Sequence, residues 1–142
     1  MRIVISSLLI FLLSASISVS AQAKHKNNEL DGKIFHITLK MTDGQRKGWQ
    51  WVTDDVSFKK GKLKSKVMSE REEFPAADCT TTVDSSSHEI IISFSASHKN
   101  TGVSNIKWEG TVTGNKIQGT AIWTNMQGVQ TYSFKGTLQK EK

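Results

Sequence analysis

The sequence predicts an all-β domain, an eight-stranded antiparallel up-and-down barrel, with a two-sheet β-sandwich as the alternative architecture. Three observations lead there. Apolar and polar residues alternate with period 2 along most of the chain after residue 30, and no convincing 3.6-residue period occurs there. The triplet Gly-Thr-apolar occurs three times in the last third, at Gly110-Thr111-Val112, Gly119-Thr120-Ala121 and Gly136-Thr137-Leu138. Each copy has aromatics on the same side of an extended strand: Trp108, Trp123, and Phe134 with Tyr132. Glycines allow close approach and sharp coiling, and rings fill the space they leave. Short turns also follow one another closely, which favours sequential antiparallel neighbours, and one apolar face per strand favours a closed sheet over a flat one.

The elements follow in order. Residues 1–23 read as a secretory signal peptide: Arg2 supplies the positive region, Ile3 to Leu13 are almost wholly apolar, and Ala21-Gln22-Ala23 has the small-x-small form of a cleavage site. The apolar run is shorter than the roughly 20 residues a membrane span needs, so the mature chain, residues 24–142, is expected to carry no transmembrane segment. It forms one domain, with a polar start over Lys24 to Glu29.

The first strand covers Leu30 to Met41, with Phe35, Ile37, Leu39 and Met41 inward. Thr42 to Gly48 is a turn. The second strand runs from Trp49 to Lys59; Trp49 and Trp51 share one side and Val56 and Phe58 the other, which calls for a bulge near Thr53-Asp54-Asp55. Lys60-Gly61 turns into a third strand, Lys62 to Ser69, with Leu63 and Val67 inward. Glu70 to Asp78 is a charged loop containing Pro75, with room for one helical turn. The fourth strand is Cys79 to Asp84. Ser85-Ser86-Ser87 is a turn. The fifth strand is His88 to Ala96, burying Ile90, Ile92, Phe94 and Ala96. Ser97 to Gly102 is a loop. The sixth strand, Val103 to Thr113, turns Ile106, Trp108, Gly110 and Val112 inward. Gly114-Asn115 is a two-residue hairpin signal. The seventh strand, Ile117 to Thr124, turns Ile117, Gly119, Ala121 and Trp123 inward, and the eighth, Val129 to Gln139, joined to it by Asn125 to Gly128, turns Tyr132, Phe134, Gly136 and Leu138 inward.

Composition bounds the function. The formal net charge is +6, with both signs mixed along most of the chain. Such a surface favours anionic surfaces weakly and is no dense footprint for nucleic acid. The export signal places the protein in the periplasm or outside the cell. Cys79 is alone, so no disulfide framework holds the fold; the thiol is either buried and inert or a dimerising or reactive group.

The segments Leu30-Asp31-Gly32-Lys33-Ile34-Phe35, Trp108-Glu109-Gly110-Thr111-Val112-Thr113-Gly114-Asn115-Lys116-Ile117-Gln118-Gly119-Thr120, Trp123 and Tyr132-Ser133-Phe134-Lys135-Gly136-Thr137-Leu138 resemble those of small exported bacterial lipocalin-like (calycin-like) meander-barrel proteins, most of unassigned activity. The resemblance implies a barrel. True lipocalins carry Gly-x-Trp in the first strand and a late Arg packed on that Trp; here Gly32 is followed by Lys33 and Ile34, and the last strand offers Lys135 and Lys140.

Two sets of residues are candidates for function. Phe35, Phe94, Trp108, Trp123, Tyr132 and Phe134 face inward and either line a pocket for a small apolar or amphipathic ligand or simply fill the barrel. Trp49 and Trp51, with the alternating Lys60, Lys62, Lys64 and Lys66 on one outer face, would engage a partner protein or an anionic envelope component, or form a solvated face. His25, His36, His88, His98 and Glu89 match no zinc spacing, so no metal and no cofactor is expected. Ser85 to Glu89 contains Ser, His and Glu, but consecutive strand residues alternate faces and make no triad. Asp54 and Asp55, being adjacent, point to opposite faces. A non-catalytic binding protein holding a ligand in its barrel is the leading expectation; a filled barrel acting through its surface is the alternative.

Overall fold

The computed structural model describes residues 29–44 and 49–140. The signal-peptide and cleavage-site readings, the stretch from Lys24 to Asn28 and the centre of the first turn, Gln45 to Gly48, lie outside the described residues. Eight strands, β1 (Ile34–Asp43), β2 (Trp51–Lys59), β3 (Lys62–Ser65), β4 (Ala77–Asp84), β5 (Ile91–Lys99), β6 (Asn105–Thr113), β7 (Lys116–Asn125) and β8 (Gly128–Leu138), pair antiparallel in chain order, and β8 closes on β1. The expected closed up-and-down barrel is the architecture, and the sandwich is not. One helix among the described residues, α1 (Lys66–Glu72), interrupts the meander between β3 and β4. No helix among the described residues is long and apolar enough to cross a membrane.

Register sets the interior in layers. Ala96, Trp108, Ala121 and Tyr132 lie opposite one another across β5 to β8, so large rings alternate with alanines. In the next layer the order is Phe94, Gly110, Gly119 and Phe134, two paired glycines flanked by two rings. A Cβ on Gly110 would meet Phe94 Cζ at 2.8 Å, and one on Gly119 would meet Phe134 Cζ at 2.8 Å and the Gly110 Cα at 2.6 Å. The two glycines thus bring the β6 and β7 backbones beneath the flanking rings, the close approach that their pattern predicts. Phe35, Phe58, Phe94, Phe134 and Trp108 then form an unbroken chain of rings across the barrel, with successive centroids 6.1, 5.3, 6.4 and 5.4 Å apart. These are edge and tilted contacts of the kind aromatic quadrupoles favour. Outward positions such as His36, Lys40, Lys107, Glu109, Gln118 and Lys135 are exposed, the reverse of the apolar exterior of membrane-spanning barrels.

Four expectations are corrected. The β1–β2 register runs unbroken from Ile34↔Ser57 to Lys40↔Trp51, so no bulge occurs at Thr53 to Asp55. Continuous parity instead turns Asp54 inward with Val56 and Phe58, and the parity conflict is resolved at Trp49, which precedes the strand and folds inward while Trp51 stays 63% exposed. The third strand stops at Ser65, because Ser65 caps α1: its hydroxyl accepts the Met68 N–H at 3.0 Å. The fifth strand starts at Ile91, leaving Ile90 exposed, and continues to Lys99, burying His98. Lys60 and Gly61 both take positive φ, 53° and 68°, as a two-residue hairpin turn between right-twisted strands requires.

Replacing Gly119 by Ala should drive a methyl into Phe134 and the Gly110 backbone and destabilise the protein by roughly 1–3 kcal/mol in urea denaturation. Thr120→Ala, on the exposed face one residue on, should stay within about 0.5 kcal/mol. Equal midpoints for the two variants would refute the close-approach account.

Candidate functional site

The two candidate sets occupy different parts of the barrel. The inward set is packed: Phe35, Trp108 and Tyr132 are wholly buried, and Phe94, Trp123 and Phe134 nearly so. The chain of ring contacts includes Phe35, Phe94, Trp108 and Phe134, while Trp123 stands at the upper end, where β1 finishes. There its Nε1–H donates to Ser104 Oγ at 2.7 Å, and Trp49 packs edge-on against it at 5.3 Å. The Arg71 guanidinium lies 5.5 Å from the Trp49 ring centroid, so α1 and Trp49 together cover this end. On the inner face the indole Nε1 of Trp108 and the Nε2 of His98 are buried with no hydrogen-bond partner among the described residues.

Sequence reasoning missed two buried titratable groups at this end. Asp54 accepts hydrogen bonds from the Ser65 hydroxyl and, at 2.9 Å, from the Val67 N–H, so a carboxylate inside the barrel wall organises the first turn of α1. Burial pushes its carboxyl above the usual range, and the bonds from Ser65 and Val67 pull part of the way back. His98 donates through Nδ1 to the Pro75 carbonyl, and its ring meets Phe74 edge-on at 6.3 Å, which ties β5 to the strap after α1. Desolvation holds its pKa below the ordinary value. The Asp54 signal was its even parity with Val56 and Phe58. For His98 the signal was an alternation continuing two residues past Ala96.

The outer set comes together only in part. Trp49 is buried. Trp51 is exposed and lies under Lys40 Nζ, which is 5.0 Å from its ring centroid. It stands at the far end of β2 from Ser57, the partner of Lys64, a separation of about 20 Å at strand rise. Lys60 sits in the hairpin turn. Lys62 reaches Asp78 at 3.0 Å. Lys64 and Lys66 line one cleft of about 280 Å³ with Ile34, Ser57, Ser69 and Gln139. The alternating lysines therefore do not share one strand face, because the chain turns helical at Lys66.

His36 faces outward as expected, its Nδ1 2.8 Å from Asp55 Oδ1, which also accepts from Gln139 Nε2 at 2.7 Å. Cys79 is buried in the β4 wall opposite Ala96; desolvation pushes its thiol up to about 11, so it is not a thiolate near neutral pH. Among the described residues no group of three or more His, Cys, Asp or Glu side chains is placed to hold a metal ion. No protein-family model, curated protein or solved structure matches the chain.

The two buried groups give opposite pH dependences. His98 binds its proton more readily in the unfolded chain, so the stability it contributes is full above about 6.5 and is lost progressively as the pH falls from there through its lowered folded value. Asp54 binds its proton more readily in the folded chain, so acid adds stability from its raised folded value down to about 3.8. Melting between about pH 7 and about pH 5 should show a smaller acid loss in His98→Asn than in the wild type. Asp54→Asn should show a larger one at the acid end. A His98→Asn profile parallel to the wild type would show that His98 is not held neutral.

Proposed function

We propose that this is an exported, non-catalytic interaction module that acts through the outside of a filled barrel, on an anionic component of the cell envelope. The observation that carries this reading is the unbroken chain of ring contacts through the interior. A ligand inside would have to part rings already at contact distance, whereas the exterior offers open clefts bearing lysines. The closed barrel also supports kinship with the lipocalin-like exported proteins that the sequence resembles, without their first-strand Trp.

A second reading, a barrel holding a small amphipathic ligand, has one observation in its favour. Trp108 Nε1 and His98 Nε2 are a buried donor and a buried acceptor on the inner face; Ala96 opposes Trp108, and His98 follows Ala96 two residues later on β5. Buried polar atoms usually have partners, and a ligand's polar group would supply one.

Native mass spectrometry of the protein purified from an exporting host, before and after organic extraction, separates the two. The exterior reading expects a single mass unchanged by extraction. It also expects Trp108→Ala to cost about 3–5 kcal/mol in denaturation and to alter no bound mass. An additional mass that leaves on extraction, and that Trp108→Ala fails to retain, would establish the interior ligand instead.

A further inference from the structure

The cover of the barrel, residues 66–76, consists of α1 and a strap, Glu73 to Ala76, that lies outside the strands and leads into β4. Its beginning is tied to β2 and β3. Asp54 accepts the Val67 N–H at 2.9 Å and also accepts from the Ser65 hydroxyl, which caps α1. Its end is tied to β5. His98 donates through Nδ1 to the Pro75 carbonyl, its ring meets Phe74 edge-on, and Asn100 Nδ2 donates to the Glu72 carbonyl at 3.3 Å. Between these ties the cover carries an apolar underside, Met68 and Phe74, both buried, and the Phe74 N–H closes the strap on the Met68 carbonyl at 3.2 Å. A short helix of this kind holds its place only by such contacts, so each tie is a point at which it can be let go.

The two ties answer a proton differently. The neutral ring of His98 uses its one N–H on Pro75, which leaves Nε2 bare, buried and with no hydrogen-bond partner among the described residues. A proton on Nε2 makes a buried cation whose new N–H has no acceptor, and burial opposes it with no charged neighbour contributing. The elements packed around the ring do not offset that charge. The strap presents the Phe74 ring and the Pro75 carbonyl, β6 presents Ile106 opposite His98, and Cys79 on the β4 wall, opposite Ala96, is a neutral thiol. The charged residues of these elements, Lys99 on β5, Lys107 on β6, Asp78 on β4 and Glu73 on the strap, are exposed, and Glu72 meets β5 through its main-chain carbonyl. Asp54 behaves in the opposite way. Burial favours its neutral form, and a protonated carboxyl still accepts the Val67 N–H. Acid therefore loosens the end of the cover at Pro75 and spares the end at Ser65.

We propose that residues 66–76 form an acid-opened lid, fixed at Asp54 and Ser65 and released at His98, whose strap swings Phe74 and Pro75 away from β5. Opening bares the Phe74 ring and the inner face beside His98 and Ile106, so the barrel offers an apolar surface in mild acid that it hides at neutral pH. The lid does not depend on which component the exterior contacts. The open population rises by up to about ten-fold for each pH unit below about 6.5, the limit for a single proton.

The test is residue-resolved amide hydrogen exchange of the whole protein, followed by nuclear magnetic resonance at about pH 7 and about pH 5.5, with each rate corrected for the intrinsic pH dependence of exchange. Phe74 reports the released end, Val67 and Met68 the fixed end, and Ala121, in the ladder between β6 and β8, unfolding of the whole barrel. The expected result is a fall in Phe74 protection of up to about ten-fold while Val67, Met68 and Ala121 keep theirs. The fall should vanish in His98→Asn and in His98→Phe, neither of which titrates; the second variant also fills the apolar seat and guards against failure of the first to fold. Phe74 protection that is the same at both pH values in the wild type would overturn the lid. An equal loss at Ala121 would show acid unfolding of the barrel, and an equal loss at Val67 release of the entire cover, and either would overturn the fixed hinge. A fall that persists in both variants would remove His98 as the trigger.

Discussion

Everything inside this barrel depends on backbones approaching closely where rings must lie. Gly110 and Gly119 face each other across β6 and β7, and the rings of Phe94 and Phe134 lie over them. One layer up, Ala96 and Ala121 make the same allowance for Trp108 and Tyr132. Eight strands leave an interior about wide enough for side chains to fill. Small residues set between or beside the large ones in each layer leave room for the rings to interdigitate. Closure follows, since a sheet whose inner face is this well matched gains more from β8 pairing with β1 than from two open edges.

The end of the barrel at which β1 finishes is closed by different physics. There the cover is a seven-residue helix, too short to be stable by itself. It is held by tertiary contacts: Asp54 and Ser65 satisfy its first N–H groups, Met68 is buried, and Glu73 in a left-handed conformation turns the chain so that the Phe74 N–H meets the Met68 carbonyl. His98 anchors the strap that follows. Two buried titratable groups thus secure the same cover, one tolerating a proton and one opposing it. The cover also spans the thinnest seam of the barrel, where β3 and β4 share only the pairs Lys62↔Asp78 and Leu63↔Ala77.

On the outside, charged side chains of both signs cover the strands. The lysines at the lower rim and along β2, β3 and the start of α1 gather on the wall where β8, β1, β2 and β3 meet. Carboxylates share that wall: Asp31, Asp55 and Glu70 line the same clefts, and Asp78 pairs with Lys62. Charges of both signs therefore interleave beside the exposed Ile34, and the local field stays as modest as the overall charge.

Much of the fold was legible in the residues. Period-2 alternation determined the inward faces of β1 and of β5 to β8, the Gly-Thr triplets determined where backbones would come close, and the hairpin signals at Lys60-Gly61 and Gly114-Asn115 determined two of the turns, because these are local consequences of strand geometry and φ. The candidate site was less legible. Asp54, His98 and Gln130 are polar residues whose inward placement is settled by partners distant in sequence: the unbroken β1–β2 ladder, the Pro75 carbonyl, and the neighbouring Asn125 and Trp123. The helix at Lys66 was hidden because its cap is completed by a carboxylate from another strand. The run of lysines reads as one face in the sequence and is split by that helix in space. Local pattern determined which residues are inside; only tertiary structure decided which of them meet, because hydrogen-bond partners and charge neighbours are set by strand register and barrel closure, which no single segment contains.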